Sequence, residues 1–258
     1  MITLSSDFGS PYPAVMKGVL CSRTDTHLVD IAHDFPRQDV RTAAFWLREV
    51  LPYFPSAVHL VVVDPGVGTE RKALVVRAGE HALVGPDNGI LLPAARALAE
   101  GEPTVLKWEV ENPASHTFHG RDVFAPAAAT VHESGIGNVE TLDRATPSDE
   151  YVDLSLPEPT VSEGNEAGET EAVGEVLVID GFGNVVTNLP GELLDGRYGT
   201  AVTVNSEPTP AQRTYAAVEP GERLVTVGSH GNVELATNQG RGEAAFGLDV
   251  GDRVALQL

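Results

Sequence analysis

The segment Leu60–Arg71 constrains the fold more than any other stretch of the chain; it reads LVVVDPGVGTER. Three consecutive valines are typical of a buried strand, and the proline and glycine that follow end it in a tight turn. In an open α/β sheet, ligands bind beyond the carboxyl ends of the strands. Asp64 at such an end, followed closely by Arg71, is therefore a candidate site. The same Asp-Pro-Gly sequence is also ordinary turn chemistry, so this stretch alone is compatible with either interpretation.

The composition predicts a strongly acidic globular protein. The 37 acidic residues outnumber the 17 basic ones, which gives a net charge of −20 over 258 residues. Nucleic-acid binding requires a basic surface, so this charge argues against it. Self-repulsion of that size destabilises a compact chain in dilute buffer and is screened over about 3 Å at 1 M salt, so we expect a halophilic protein. No apolar run reaches the roughly 20 residues of a membrane helix, and no basic leader precedes the first strand, which predicts no membrane association and a cytoplasmic location.

The pattern of elements predicts two domains. Alternating strand and helix signals over residues 1–150 predict an α/β domain, a Rossmann-like mixed sheet with flanking helices. Residues 151–171 are acidic and rich in polar residues and proline, which is the composition of a linker. Short strands separated by turn signals fill residues 172–258 and predict a small all-β barrel.

Further polar side chains follow predicted strand ends. Asp7 follows the first strand, so a second carboxylate is expected at a ligand-binding edge. Residues 116–122, which read HTFHGRD, precede an alanine-rich helix, and a helix N-terminus favours polar or anionic groups. In the second domain the polar turns 180–184 and 228–232 are explained adequately as hairpin turns, and their glycines lack the spacing of a phosphate-binding loop.

A metal site is an alternative for the 116–122 segment. His116, His119 and Asp122 are spaced by three residues and would converge on one face if the segment were helical. Gly120 disfavours a helix there, and no further carboxylate or histidine motif lies nearby. The lone Cys21 excludes an internal disulfide and a cysteine-based zinc site. We therefore predict no bound metal.

Taken together, these loops resemble one known family, the S-adenosyl-L-methionine hydroxide adenosyltransferases, which are the water-using relatives of fluorinase and chlorinase. The resemblance spans nearly the whole chain in the right order. Its motifs are Ser6–Gly9, Met16–Gly18, Val29–His33, Asp64–Arg71, Pro86–Gly89, His116–Asp122, Asp180–Asn188 and Asn238–Gln239. The loop between Gly9 and Tyr12 departs from the pattern, because relatives usually carry a longer loop with a further Asp.

The resemblance implies an architecture, a reaction and a substrate. It implies an N-terminal α/β domain, a C-terminal β-barrel and a homotrimer whose sites lie between subunits. The family reaction splits S-adenosyl-L-methionine with water into adenosine and L-methionine. S-adenosyl-L-methionine is thus the substrate, and no cofactor is implied.

The resemblance also implies roles for individual residues. Asp64, Arg71 and His119 match the catalytic set, in which His119 is the proton acceptor or the anchor of the attacking water. On the ribose side Asp7 matches the carboxylate that binds the diol, and Tyr12 follows it in the shortened loop. The remaining substrate-binding positions are Asp180, Ser229 and the His230 backbone for the methionine end, with Asn184 and Tyr215 for the adenine.

Two other functions compete with the hydrolase. A halide-using halogenase is one; the halogenating relatives have Tyr in place of Asp64, and fluorinase has Tyr and Ser in place of His119 and Gly120. A carboxylate beside the nucleophile would also repel a halide ion. A non-catalytic protein that binds the nucleoside or S-adenosyl-L-methionine is the other. Retention of Asp64, Arg71 and His119 together argues against it, because binding alone does not need a polar set aimed at C5′.

Overall fold

The structure, a computed structural model, describes residues 1–110, 113–162 and 170–258. The chain divides into two compact units, Met1–Ser155 and Leu156–Leu258. The division falls inside the segment 151–171 that the composition predicts as a linker. Residues 163–169 of that segment lie outside the described residues.

The first unit is a mixed sheet flanked by helices. Its strands are β1 (Ile2–Ser6), β2 (Leu28–Ala32), β3 (Val58–Val62), β4 (Ala73–Ala78), β5 (His81–Pro86), β6 (Thr104–Trp108) and β7 (Ala145–Pro147). Its helices are α1 (Tyr12–Cys21), α2 (Val40–Val50), α3 (Leu92–Leu98) and α4 (Ala125–Ser134). The strands lie in the order β2-β1-β3-β5-β4-β6-β7. Strands β2, β1, β3 and β5 run parallel, and β4, β6 and β7 are joined by antiparallel pairs. The predicted α/β class is confirmed.

Both faces of this sheet are buried. On one face, Leu4 and Leu60 pack with Met16 of α1 and with α4. On the other face, Val61 packs with Leu47 of α2 and with α3. Complete burial of such a side chain contributes about 1.5–3 kcal/mol to folding, which is why the central strands read as continuous apolar runs.

Strand register brings the candidate carboxylates to one edge. Strands β1 and β3 pair in parallel with Ser6 opposite Val62, so Asp7 and Asp64 both lie just beyond the carboxyl ends of neighbouring strands. Strand β4 is antiparallel to β5 and therefore begins at this same edge, where Arg71 precedes it. The sheet thus gathers Asp7, Asp64 and Arg71 at one edge.

The expectation that Gly120 disfavours a helix was wrong. Gly120–Phe124 forms a π-helical turn that leads directly into α4. A Cβ atom at position 120 would lie 2.9 Å from Sδ of the buried Met16 and 3.3 Å from the rings of Phe8 and Phe118. Tertiary packing therefore requires glycine here and overrides a helix-propensity penalty of only about 1 kcal/mol.

The second unit is a nearly closed antiparallel sheet. Its strands are β8 (Thr160–Ser162), β9 (Glu171–Ile179), β10 (Val185–Pro190), β11 (Ala201–Val204), β12 (Glu207–Pro210), β13 (Arg223–Val227), β14 (Asn232–Thr237) and β15 (Arg253–Gln257), with a short helix α5 (Gly242–Phe246). The order is β12-β11-β15-β9-β10-β14-β13, and a bridge between Ala211 and Val225 joins the two ends. The barrel-like fold expected for this part of the chain is confirmed. Strand β8 pairs with β9, so this part of the predicted linker is sheet.

Among the described residues, no helix has the length and apolar character needed to cross a membrane.

The buried His59 of β3 contacts the partly buried His81 of β5 and Thr3 of β1. Nδ1 of His59 lies 2.8 Å from Oγ1 of Thr3, and its Nε2 lies 3.0 Å from Nδ1 of His81. Burial lowers the pKa of His59 to about 3, and a positive charge on His81 would lower it further. Burial also lowers the pKa of His81. Both rings are therefore neutral in the folded protein near neutral pH.

We expect this pair to make the protein sensitive to mild acid. The unfolded His59 binds a proton below about pH 6.5 and the folded one does not, so the free energy of unfolding falls as the pH drops from about 6.5 to about 3. At about pH 5 the loss from His59 alone is about 2 kcal/mol. Urea titrations at pH 7.5 and 5.0 in the same salt measure it. His59→Asn should flatten this dependence, while His27→Asn, at an exposed position, should leave it unchanged; a pH dependence that survives His59→Asn intact would contradict the assignment.

Candidate active site

Asp64 and Arg71 form a buried, bidentate ion pair. Nε of Arg71 donates to Oδ1 of Asp64 at 2.6 Å, and Nη2 donates to Oδ2. The Asp64 side chain is 4% exposed and that of Arg71 is 10% exposed. The guanidinium also lies 5.0 Å above the ring of Phe124. Two parallel hydrogen bonds and the stacked ring fix the carboxylate in one orientation.

The loop between these two residues is a compact turn that packs on the 116–122 segment. Oγ1 of Thr69 donates to the carbonyl of Gly66 at 2.7 Å, which closes the turn. Gly68 has a φ of +81°, and a Cβ atom there would lie 2.8 Å from the carbonyl oxygen of His116. Both the left-handed conformation and the close approach require glycine. This contact explains how the loop after β3 reaches the segment that carries His119.

His119 completes the set. Its Nδ1 lies 3.0 Å from Nη2 of Arg71. A guanidinium can only donate, so Nδ1 must accept, and the neutral ring then carries its proton on Nε2. Nε2 is buried and has no hydrogen-bond partner among the described residues. The ring is therefore oriented by Arg71 and presents a free N–H donor on its other edge.

The electrostatics keep His119 neutral. Burial lowers the pKa of His119, and the positive charge of Arg71 lowers it further, while the negative charge of Asp64 opposes both effects. A neutral ring agrees with the acceptor role of Nδ1 toward Arg71. The set therefore carries one negative and one positive charge that cancel, together with one neutral donor.

A cavity of about 570 Å³ opens against this set. Its volume falls within the range of pockets that bind small molecules. Asp64 and His119 line it, whereas Arg71 lies behind them as their common hydrogen-bond donor. The other lining residues are Asp7, Phe8, Tyr12, Arg37, Gln38, Val62, Val67, Ser115, Thr117, Phe118, Gly120 and Arg121.

Asp7 and Tyr12 line the same cavity, as the sequence predicts. Oδ2 of Asp7 accepts a hydrogen bond of 2.7 Å from the backbone N–H of Gln38, whose φ is +62°. Tyr12 packs edge-to-face on Phe8 and Phe118, with ring centroids 6.2 and 5.5 Å away. These three rings form an aromatic wall beside the polar set. An apolar wall with a few fixed polar groups is typical of a ligand pocket.

The remaining predicted site residues lie in the second unit. Oδ1 of Asp180 accepts from the backbone N–H groups of Phe182 and Asn184 at 2.9 and 2.8 Å, and its Oδ2 accepts from the Asn184 side chain at 3.0 Å. Asp180 thus stabilises the turn in which it lies, and its side chain contacts that of Asn184, another predicted binding residue. The ring of Phe182 is 80% exposed next to them.

Tyr215 and His230 both approach the buried carboxylate of Glu234, which the sequence reasoning missed. The hydroxyl of Tyr215 donates to Oε1 of Glu234 at 2.6 Å, and Nε2 of His230 lies 3.7 Å from Oε2 of the same residue. Burial raises the pKa of Tyr215, as do its hydrogen bond to Glu234 and the negative charges of Glu234 and Asp180. Ser229 is exposed beside His230. Glu234 therefore links two of the predicted binding residues.

The three residues considered as metal ligands do not converge. The side chain of Asp122 is engaged with Arg121 at 2.6 and 2.7 Å, and the hydrogen bond from Arg121 holds the pKa of Asp122 below its usual range. His116 is exposed, and His119 is directed at Arg71. Over residues 1–110, 113–162 and 170–258, no group of three histidine, cysteine or acidic side chains is arranged to hold a metal ion.

The sequence reasoning also missed much of the cavity wall. Phe8 and Phe118 lie within the motifs Ser6–Gly9 and His116–Asp122. The neighbouring motif residues were therefore the sequence signal that could have identified them. Arg37 and Gln38 lie just before α2, and no local pattern marks them as pocket residues. Their position in the pocket is shown only by the structure, in which the backbone N–H of Gln38 donates to the carboxylate of Asp7.

Comparison with known proteins identifies the family. Residues 2–142 match the SAM hydroxide adenosyltransferase N-terminal domain, and residues 174–255 match the C-terminal domain of the same family. A protein of Salinispora tropica named (R)-S-adenosyl-L-methionine hydrolase is 42% identical, over 99% of this chain and 97% of its own. A protein of Thermus thermophilus with the same name is 41% identical, over 97% of each chain.

A solved structure shows the same fold. The crystal structure of an uncharacterized conserved protein from Thermotoga maritima is 32% identical and superimposes with a TM-score of 0.84 over 99% of both chains. The two matched segments, residues 2–142 and 174–255, lie in the first and the second compact unit respectively. The chain therefore belongs to the SAM hydroxide adenosyltransferase family.

Proposed function

We propose that this protein hydrolyses S-adenosyl-L-methionine to adenosine and L-methionine by in-line attack of water on C5′. The observation that carries the proposal is the convergence of Asp64, Arg71 and His119 at the wall of one cavity, with an unpartnered donor at Nε2 of His119. The names of the full-length relatives support it. Those names specify the (R) configuration at sulfur, so we propose the (R) epimer as the substrate.

The chemistry needs positioning more than activation. The sulfonium leaves as a neutral thioether, so the bond between C5′ and sulfur breaks easily once a nucleophile lies in line behind the carbon. Well-held reactants reach effective molarities of about 10⁵–10⁸ M, which exceeds the factor of about 10²–10⁴ available from proton transfer. A rigid, pre-oriented polar set suits this requirement.

The contacts assign distinct roles to the three residues. Nε2–H of His119 would donate to the oxygen of the attacking water, which favours the water-anchor role over the proton-acceptor role for this residue. The water would then donate one hydrogen to the carboxylate of Asp64 and give up that proton as the C5′–O bond forms. The electron pair of the C5′–S bond leaves with sulfur, and the proton passes from Asp64 to solvent. Arg71 holds both partners and stays charged throughout.

The other predicted binding residues would hold the substrate. Asp7 would accept hydrogen bonds from the ribose diol, and Tyr12 would pack beside it. The positions proposed for the methionine and adenine ends are Asp180, Asn184, Tyr215, Ser229 and His230. The proposal requires no cofactor and no metal, because S-adenosyl-L-methionine is consumed as the substrate.

A halide nucleophile fits the geometry less well. The Asp64 carboxylate would lie beside the ion and repel it, and the positive charge of Arg71 is already paired with that carboxylate. The carboxylate of Asp64 therefore favours a neutral water molecule as the nucleophile.

One incubation tests the function. The purified protein is mixed separately with the (R) and (S) epimers of S-adenosyl-L-methionine, in saturating chloride and in saturating bromide, and the nucleosides are resolved by chromatography. We expect adenosine from the (R) epimer under every condition. A 5′-halo-5′-deoxyadenosine as the main product would establish the halogenase instead, and tight binding of substrate without any product would establish the non-catalytic binder.

We further propose a cytoplasmic homotrimer with sites between subunits and a requirement for salt. The family resemblance supports the trimer, and the net charge of −20 supports the salt requirement. Sedimentation and activity at about 0.1 M and about 2 M salt measure both, and we expect a trimer with full activity at the higher concentration. A stable, active monomer in dilute buffer would contradict both parts of this prediction.

A further inference from the structure

A chain of four polar side chains connects the surface to the base of the Asp7 loop. Nζ of Lys17 donates to Oδ2 of Asp30 at 2.5 Å, and Nε2 of His33 lies 2.9 Å from Oδ1 of the same carboxylate. Nδ1 of His33 lies 2.7 Å from Oγ of Ser6. These residues come from α1, from β2 and its end, and from the last position of β1. The proposed reaction uses none of them directly.

This series of four hydrogen-bonded side chains is not a second catalytic centre. Ser6 is completely buried, so its hydroxyl is closed to substrate. The carboxylate contacts Nε2 of His33 and the serine contacts Nδ1, which is the reverse of the arrangement in serine hydrolases. The four side chains instead join the carboxyl ends of β1 and β2. Their role is therefore to hold the loop that follows β1 in place.

The direction of the hydrogen bonds to Asp30 follows from the ionised state of its carboxylate. Burial would raise the pKa of Asp30, but the hydrogen bonds and positive charges of Lys17 and His33 hold it below its usual range. An ionised carboxylate only accepts, so Nε2 of His33 donates to Asp30. Nδ1 of His33 lies against Oγ of Ser6, so the ring connects the carboxylate to the end of β1. The two hydrogen bonds to Asp30 thus have a defined direction, from Lys17 and from His33 to the carboxylate.

The same histidine also holds the far side of the loop. The backbone N–H of Gly9 donates to the carbonyl of His33 at 2.8 Å. Ser6 and Gly9 are therefore both tied to His33, one through its side chain and one through its backbone. Asp7 lies between these two attachments, and the N–H of Gln38 binds its carboxylate from the other side at 2.7 Å. The loop has little freedom while these contacts persist.

We infer that His33, oriented by Asp30 and Lys17, is a positioning residue for substrate binding that acts through Ser6 on the carboxylate of Asp7. The inference deepens the proposed function, because it rests on Asp7 as a ligand-binding group. It places His33 outside the reacting atoms. Its loss should therefore weaken binding of the nucleoside part and leave the chemical step nearly intact.

The test is a double-mutant cycle between His33 and Asp7. The variants are His33→Gln, Asp7→Ala and the double variant, with His27→Gln as a matched control at an exposed histidine on the other side of β2. The measurements are KM and kcat for S-adenosyl-L-methionine and, independently of activity, the dissociation constant of adenosine by calorimetry. Asp30→Asn, at a partly exposed position, serves as a second variant that is less disruptive to folding.

We expect His33→Gln to raise KM and the adenosine dissociation constant by roughly tenfold, the size of one lost charge-assisted hydrogen bond, with kcat within about twofold. In the Asp7→Ala background the same change should have almost no further effect, because coupled residues are not additive. Asp30→Asn should weaken adenosine binding in the same direction, and His27→Gln should change nothing.

Other outcomes separate this inference from the function itself. Additive losses in KM and in adenosine binding, or a loss of kcat at unchanged KM, would overturn the positioning role while leaving hydrolysis established. A non-additive cycle in adenosine binding without any hydrolysis would support the positioning role and overturn the proposed function. If His33→Gln does not fold, the cycle with Asp30→Asn and Asp7→Ala decides by the same criterion.

Discussion

Replacing His119 by Ala is expected to lower kcat by about 10²–10⁴ while KM changes by no more than a few fold. The ring would bind the attacking water and not the substrate, so its removal costs stabilisation of the transition state alone. Steady-state kinetics with the (R) epimer measure the effect. His116→Ala is the matched control, because His116 is exposed and lies three positions earlier in the same segment.

Asp64→Asn should follow the same pattern, because the amide retains the shape of the carboxylate but cannot take the proton. Asp7→Ala should do the opposite and mainly raise KM, since its contact is made equally in the ground state and the transition state. A wild-type kcat in His119→Ala or Asp64→Asn would refute the assigned mechanism. A large fall in kcat for His116→Ala would show that the control itself belongs to the site.

Arg71→Ala is expected to lower the free energy of unfolding by about 3–5 kcal/mol, in addition to abolishing most activity. The variant leaves the Asp64 carboxylate buried without its partner and removes the donor that orients His119. Urea unfolding in constant salt measures the loss. Arg96→Ala is the control, because its ion pair with Asp153 is exposed and should contribute less than about 1 kcal/mol.

A double variant distinguishes two causes of the stability loss in Arg71→Ala, the unpaired buried charge of Asp64 and the lost packing of the Arg71 side chain. Asp64→Leu combined with Arg71→Met removes both charges and should recover most of the stability lost in Arg71→Ala, while remaining inactive. If Arg71→Ala is as stable as the wild type, the pair is not desolvated in the way that the structure describes. If the double variant is less stable than the single one, packing rather than charge dominates at this position.

The sequence predicts the sheet and the centre of the site because short-range signals determine both. Three consecutive valines before Asp64 indicate the end of a buried strand, and the period of α2 and its cap at Asp39 are likewise local signals. A parallel sheet then places Asp7 and Asp64 at one edge without further information. The grouping of His119 with Asp64 and Arg71 followed from the family resemblance, and local pattern alone does not imply it.

The sequence could not predict features that depend on contacts between distant segments. Gly120 enters a π-helical turn because Met16, Phe8 and Phe118 leave no room for a side chain, and helix propensity carries no information about that packing. The link from His33 to Ser6 joins residues separated along the chain by α1 and β2. Glu234 reads as a polar position of an ordinary strand until Tyr215 is found bound to it.

Isotope labelling in ¹⁸O-water tests the central claim, attack of water on C5′, most directly. The enzyme is allowed to consume the (R) epimer of S-adenosyl-L-methionine in labelled water, and adenosine and methionine are analysed by mass spectrometry. In-line attack on C5′ predicts one ¹⁸O atom in adenosine, at the 5′-hydroxyl, and none in methionine. Adenosine without label, or label found in the methionine-derived product, would contradict the mechanism.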